Sequence, residues 1–307
     1  MNTGVISAKT STSPVVCPKC RGSFAFDASG AQCQTCGQSY AYEGRTLNLL
    51  EGEPFHDEAD AARAVAEEKK ETHTTTNFIL PLVRKAAEKH NRPIRVLSVG
   101  CGVGRDVELI NDAGFECYGI DCGSRYQVWS TRSAVDRLYM ASATHMPFPD
   151  ESFDFVFSGC VLAHIGVVGD TWETTPNYME ERGRFCSEVT RVTRKGGQIV
   201  LSGANRNFPF DLFHRDKGYI PRFHLPSEKF LVSYSDYRKM FVESCGCSKL
   251  SSLPVERYWG FNGLRKFFVG RIAEAVIKTH LRLVSSTTVP YLQRSFLNPW
   301  LVVSVEK

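Results

Sequence analysis

The stretch Val96-Leu97-Ser98-Val99-Gly100-Cys101-Gly102-Val103-Gly104-Arg105 decides the fold. It puts three glycines between a β-rich run, Ile94 to Val99, and a run of helical pattern, Arg105 to Asp112. Glycines in that place let the backbone come close to a ligand and aim the helix's free N–H groups at it. A dinucleotide fingerprint needs G-x-G-x-x-G or Ala, but Arg105 stands in the last position, where its bulk obstructs both helix packing and a pyrophosphate. Seventeen residues beyond Gly104 stands Asp121, at the end of Cys117-Tyr118-Gly119-Ile120, where a carboxylate accepts both hydroxyls of a ribose. Strand, glycine loop, helix, strand and acid read together as a nucleoside site without a pyrophosphate. The plainer alternative is a tight turn followed by an Asp helix cap before Ser124.

Outward from this unit the chain keeps alternating. Phe115 to Ile120 reads as a strand, Arg125 to Ser133 as a helix, Phe153 to Ser158 as a strand, Arg184 to Val192 as a helix and Gln198 to Leu201 as a strand. A helix around Ser235 to Glu243 and strands near Ser248 to Leu253 and Leu301 to Val305 complete the set. Such alternation predicts an α/β fold with a mostly parallel sheet. Residues 203–234 and 255–296 break the alternation and are rich in aromatics and arginine, as expected of insertions that build a ligand crevice.

Toward the N-terminus the character changes. Residues 1–16 are small and polar and read as a disordered tail; residues 17–50 carry two C-x2-C pairs, Cys17/Cys20 and Cys33/Cys36, with glycines suited to tight turns. Four thiolates in two such pairs are the donor set of a closed tetrahedral zinc site, structural or for docking rather than catalytic. Residues 51–92 read as a linker rich in Glu, Asp, Ala and Lys followed by a leading helix with Phe78, Leu82 and Ala86 at helical spacing. The other seven cysteines lack this spacing and read as small buried hydrophobes.

Across the whole chain of 307 residues, 37 basic and 33 acidic side chains give a net charge of +4, too mild for a dedicated nucleic-acid binder. Eleven cysteines without a leader-like opening predict a reduced, cytoplasmic protein, and no apolar run approaches the roughly 20 residues of a transmembrane segment.

Residues 94–205 resemble the class I S-adenosylmethionine-dependent methyltransferases, close to the group called type 11. Val96 to Arg105 resembles their first motif, Ala143 to Asp154 their segment before strand four, and Glu188 to Gly197 their helix into strand five. The N-terminal quartet, with Gly37, Tyr40, Gly44 and Leu49-Leu50, is similar to zinc-ribbon modules that accompany methyltransferase domains. The resemblance implies a Rossmann-like, doubly wound, mostly parallel seven-stranded sheet over residues 93–307, with S-adenosyl-L-methionine and a structural Zn2+ as cofactors. It implies that Gly100, Gly102 and Gly104 lie against the methionine and ribose part, Asp121 on the ribose hydroxyls, and Cys122 and Ala143 near the adenine, with Cys101 and Ser142 also among the cofactor-binding residues. Two positions depart from the family: its acid before the loop is Ser98 here, and its acid before the matched alanine is Ser142, which leaves Asp106 as a candidate partner for the cofactor's amino group.

Methyl transfer from a sulfonium is an in-line displacement that needs alignment and dryness, with a base only where the acceptor must lose a proton. His145, His164, Tyr178, His214 and His224 are candidates, and His164 follows strand four where the crevice should open. Arg206, His214, Arg222 and His224 lie among aromatics in the first insertion. Phe261, Leu264, Phe268, Ile272 and Ala275 share one face of a basic amphipathic helix, which packs on the domain or meets a partner. The expected acceptor is a small molecule, a lipid-linked or sugar-containing intermediate among the candidates, with the ribbon open to a protein partner. The alternatives are an RNA base methyltransferase, which the near-neutral charge disfavours, and a non-catalytic scaffold in which Ser98 and Ser142 mark a degenerate site.

Overall fold

The computed structural model describes residues 14–52, 61–169, 171–214, 222–260 and 268–307. Expectations that fall on residues 1–13, 53–60, 215–221 and 261–267, among them most of the tail and Phe261 and Leu264 of the amphipathic face, lie outside the described residues; the last residues of the expected tail are ordered, since Val15 is buried and Val16 is hydrogen-bonded.

The apolar runs become buried strands. β5 (Arg95–Val99), β6 (Glu116–Asp121), β7 (Leu138–Met140), β8 (Phe153–Gly159) and β9 (Thr193–Ala204) are parallel to their neighbours in the order β7-β6-β5-β8-β9. Val96, Leu97 and Val99 and the Phe153, Phe155 and Val156 of β8 are fully enclosed, as strands covered on both faces must be. β13 (Trp300–Glu306) runs antiparallel beside β9 over seven paired residues, and β12 (Lys249–Ser252) closes that edge. These seven strands are the predicted doubly wound sheet. Helices α3 (Arg105–Asp112) and α5 (Tyr178–Val192) pack on β6 and β9. The two-residue strands β10 (Phe210–Asp211) and β11 (Arg222–Phe223) form a separate hairpin pair inside the first insertion. Further helices among the described residues include α4 (Val161–His164), α6 (Tyr234–Tyr237), α7 (Phe268–Val284) and α8 (Tyr291–Arg294).

Two readings change. The expected helix at Arg125 to Ser133 is a 3-10 turn, Ser124–Thr131, because buried Trp129 donates its indole N–H to the Gly102 carbonyl at 2.8 Å and tethers the segment to the glycine loop. The cysteine-rich segment extends the sheet. Its strands β1 (Phe24–Phe26), β2 (Gly30–Cys33), β3 (Ser39–Glu43) and β4 (Thr46–Asn48) continue past β7, with β4 parallel to it, so eleven strands share one sheet. Leu49 N–H bonds the Met140 carbonyl (2.7 Å) and Val16 N–H the Pro147 carbonyl (2.9 Å), while Val15, Leu47 and Leu49 are buried in the common core.

The segment expected as linker and leading helix is also structured. α1 (Ala61–Thr74) runs through a π turn, Thr75–Ile79, into α2 (Leu80–His90), and Asn91 ends it in the left-handed conformation ahead of Pro93. No described helix is long and apolar enough to cross a membrane.

Candidate functional site

Strand order reverses at β5, with β6 and β7 on one side and β8 and β9 on the other, so the loops leaving β5 and β8 diverge. A cavity of about 460 Å3 opens there, walled by the glycine loop, the ends of β6, β8 and β9, α1 and Trp300.

The loop's form follows from sterics. Gly100 has φ +75°, and a Cβ there would stand 2.2 Å from the Val161 side chain. Gly102, at φ +51°, would press a Cβ against the Glu71 carboxylate at 2.6 Å. Asp121 at the end of β6 accepts from the Gly102 N–H (2.9 Å) and the Gly123 N–H (2.7 Å), and burial raises its carboxyl above the usual range. Asp106, from the first turn of α3, reaches back beneath the loop to Ser98, whose hydroxyl donates to it at 2.5 Å. Both line the cavity, and burial lifts Asp106 to about 6.

Sequence reasoning missed the opposite wall. Glu71 of α1 accepts the Val103 and Arg105 N–H groups at 3.2 and 3.0 Å, taking up loop donors that face the start of α3. Burial, aided by the negative charge of Asp106, pushes its carboxyl well above the usual range. Glu67 and Glu68, one turn away, pair with Arg125 (2.7 Å) and Arg132 (3.0 Å). Thr74, Thr75 and Ile79, at the π turn, also face the cavity.

Residues 97–201, from within β5 to within β9, match the methyltransferase domain family. The chain carries a class I S-adenosylmethionine-dependent methyltransferase domain. An uncharacterized methyltransferase of Mycolicibacterium gilvum is 28% identical over 226 residues, covering 64% of this chain and 82% of that protein. A probable chloroplastic tocopherol O-methyltransferase of Oryza sativa is 24% identical over 155 residues; the match covers 48% of this chain and spans only 39% of that protein's length. The crystal structure of an S-adenosylmethionine-dependent methyltransferase from Aquifex aeolicus has a TM-score of 0.40 and 15% identity, covering 63% of this chain and 93% of that one.

Within this methyltransferase domain, Gly100, Gly102, Asp121, Cys122, Ser142, Ala143 and His164 all line the one cavity. Cys101 and Gly104 do not. The Cys101 side chain points into the core, where a Cβ on Gly119 would lie 2.8 Å from its sulfur, and burial pushes its thiol well up. Gly104 (φ +74°) turns the chain into α3 beneath Leu138 and Trp129. Of the other candidates, His145 is exposed and bonded to Thr144, Tyr178 stacks under Arg182, and buried His224 faces Glu228 at 3.4 Å.

The far end of the methyltransferase cavity is aromatic and apolar. Phe157, Ile165, Val167, Tyr258 and Trp300 line it, and Tyr258 bonds Ser202 at 2.7 Å. Trp259 and Phe213, stacked at 5.0 Å, back Trp300. His164 stands here with Cys160 and with His214, whose Nδ1 faces the buried Asp211 carboxylate at 2.9 Å. Burial alone raises a thiol, but the two imidazoles bring Cys160 down to about 6; burial lowers His214, yet Asp211 and Cys160 carry it up to about 9.

The N-terminal quartet converges as its spacing requires. Cys17 and Cys36 sulfurs are 3.7 Å apart and Cys20 and Cys33 3.4 Å, with all four within 4.8 Å of one another. Sulfurs at about 2.3 Å from a tetrahedral zinc are separated by about 3.8 Å, so the cluster fits the ion with a slight expansion. The Thr35 and Cys36 N–H groups point at the Cys33 sulfur at 3.4 and 3.5 Å, the outer-shell bonds a bound thiolate takes.

Proposed function

We propose that this methyltransferase transfers its methyl group to a small molecule whose apolar or aromatic body rests on Tyr258, Trp300 and Phe157. One observation carries the reading: a single cavity joins the acid-lined glycine loop to the aromatic end, so donor and acceptor face each other across it. Bound S-adenosylmethionine supplies an electrophilic methyl on a positive sulfur.

In this reading Asp121 holds the ribose hydroxyls, Cys122, Ser142 and Ala143 flank the adenine, and the Gly100 and Gly102 backbones lie along the ribose and methionine. Asp106 holds the ammonium that an acid at position 98 would otherwise take. The carboxylates of Asp106 and Asp121 give this end a negative potential suited to a sulfonium and an ammonium. The α1 wall and the aromatic end exclude water, so displacement depends on alignment more than on proton transfer. His164 orients the acceptor or takes its proton. Cys17, Cys20, Cys33 and Cys36 hold a structural zinc, and we place the protein in a reducing, cytoplasmic setting on its free cysteines.

The test is calorimetric binding of S-adenosylhomocysteine, followed by transfer of labelled methyl from S-adenosylmethionine into a fractionated small-molecule extract. Asp121→Ala should lose both while keeping its thermal transition. Label entering RNA instead of small molecules, or no nucleoside binding at millimolar concentration, overturns the reading.

A further inference from the structure

Three side chains at the aromatic end come from two distant parts of the chain and aim their donor atoms at one point. Cys160 is the N-cap residue of α4 and His164 its last residue, and Cys160 holds a left-handed backbone (φ +64°) that a non-glycine residue adopts at a cost. His214 arrives from the turn after β10. Its Nε2 lies 3.2 Å from Nε2 of His164 and 3.7 Å from Sγ of Cys160, and all three donor atoms fall within 4.8 Å of one another. Two imidazole nitrogens facing each other need a shared proton or a shared cation. A tetrahedral zinc, with nitrogen near 2.0–2.1 Å and sulfur near 2.3 Å, separates two nitrogens by about 3.4 Å and a nitrogen from a sulfur by about 3.6 Å. The observed 3.2 and 3.7 Å are those two edges.

We propose that Cys160, His164 and His214 bind a divalent transition metal, zinc by their mixed sulfur and nitrogen donors, with the fourth position open to the cavity. The surroundings are those of a ligand set held in advance. Asp211, fully buried, accepts from Nδ1 of His214, which fixes the tautomer that leaves Nε2 free to ligate. The same carboxylate takes the backbone N–H groups of Phe213 and His214 at 3.0 Å each and a guanidinium N–H of Arg222 at 3.2 Å. Arg222 is in turn matched by Glu228 at 2.6 Å, so no bare cation opposes the metal. Both imidazoles stand nearly perpendicular to the buried ring of Phe230, at 5.2 and 4.8 Å, which sets their planes.

Three protein ligands and an open position are the form of a working metal site, whereas the N-terminal quartet is closed. Resting on the methyl-transfer reading, the acceptor is then a hydroxyl or thiol. It enters the open position, releases its proton to solvent on coordination, and attacks the sulfonium methyl. The new bond to carbon forms as the carbon–sulfur bond breaks, its electron pair returns to sulfur, and an ether or thioether leaves.

The experiment measures zinc in the full-length protein by plasma mass spectrometry after equilibration with excess zinc and desalting. The wild type should retain one zinc per chain more than Cys160→Ser, His164→Ala or His214→Ala. His164 is exposed, so its variant is the one least able to disturb folding. Asp211→Asn, acting through His214, should keep the ion but weaken it about 10- to 100-fold in a chelator competition. Cobalt exchange should add one thiolate-to-metal absorption band that Cys160→Ser lacks. Equal zinc in wild type and His164→Ala, or a cobalt spectrum unchanged by Cys160→Ser, overturns the site. S-adenosylhomocysteine binding is read separately: the extra zinc without nucleoside binding removes the methyl-transfer reading and leaves the metal, and the reverse result removes the metal alone.

Discussion

Ser98, near the end of β5, donates its hydroxyl to the Asp106 carboxylate at 2.5 Å, so the pair joins β5 to the first turn of α3 at the cavity wall. Asp106 belongs to the first turn of α3, eight residues on, and still lines the cavity. Asp106→Asn should therefore raise the dissociation constant of S-adenosylhomocysteine about 10- to 100-fold, the worth of roughly 1.5–3 kcal/mol for a hydrogen bond to a charged group. Adding Ser98→Asp to that variant should restore part of the affinity. Calorimetry on the three proteins checks it, and an unchanged constant in Asp106→Asn removes Asp106 from the site.

The same residue gives a pH dependence of definite sign. Burial raises Asp106 from 3.8 to about 6, so between those values the folded chain holds a proton that the unfolded chain has released. Its destabilising effect is absent below pH 3.8 and complete above about 6. Cofactor affinity should run the other way, falling by up to about tenfold per pH unit below 6 as the carboxylate loses the charge an ammonium needs. Titrations of S-adenosylhomocysteine at pH 5, 6 and 7.5 on wild type and Asp106→Asn measure it, the difference in slope being the share of Asp106 and the remainder that of the raised carboxyls of Asp121 and Glu71.

How much of this was legible depended on sequence distance. The glycine loop, the acid that ends the next strand and the alternation of strands with helices are local demands of backbone geometry, so they sit close together in the chain and were readable; the order of the strands in the sheet is long-range and was not. The α1 wall was not. Glu67, Glu68 and Glu71 have the composition of a solvated face, and only the fold brings them to Arg125, Arg132 and the loop amides more than thirty residues away. Cys101 stands inside the motif, yet its side chain faces the core, as expected of a small buried hydrophobe. His164 was singled out by its place after β8, but its meeting with His214 spans fifty residues and has no local signature.

Glu71 ties α1 to the glycine loop through two backbone N–H groups. Glu71→Ala leaves both donors without that partner, at about 1–3 kcal/mol for each donor that water cannot reach. We expect a lower melting temperature and weaker S-adenosylhomocysteine binding together, with faster amide exchange in a peptide spanning Gly100 to Arg105. Exchange unchanged there would show that α1 does not order the loop.

At the other end of the strands, Asp154 has no exposed side-chain surface and accepts from Arg92, from Arg194 (2.7 Å) and from the Arg95 N–H (2.9 Å). Burial acts to raise its carboxyl, but these partners outweigh it and hold it below the usual value. Its stabilisation is present above the unfolded value of 3.8 and is lost as pH falls through the lower folded value. Asp154→Asn should cost about 3 kcal/mol at pH 7, the low end for breaking a buried pair because both arginines remain partly in water. In urea titrations the gap between wild type and variant should narrow as the pH drops below 3.8.

The ribbon's attachment would make a metal held by its quartet a determinant of the sheet edge at β7. About 35 residues are too few to bury a core unaided, and the quartet is what would close this one. Losing it would free β4 from β7 and uncover Tyr139, Met140 and the side chains packed beneath Leu47 and Leu49. The exposed ion pairs Arg45 with Asp136 and Arg21 with Asp150 contribute little to holding it. Cys33→Ser, or a strong chelator on the wild type, should therefore accelerate amide exchange in a peptide covering Leu138 to Ala141 and promote aggregation through the bared edge. Peptides from Arg95 to Val99, two strands further in, should respond less. Exchange at Leu138 to Ala141 that ignores both treatments would mean that the ribbon folds and docks without metal.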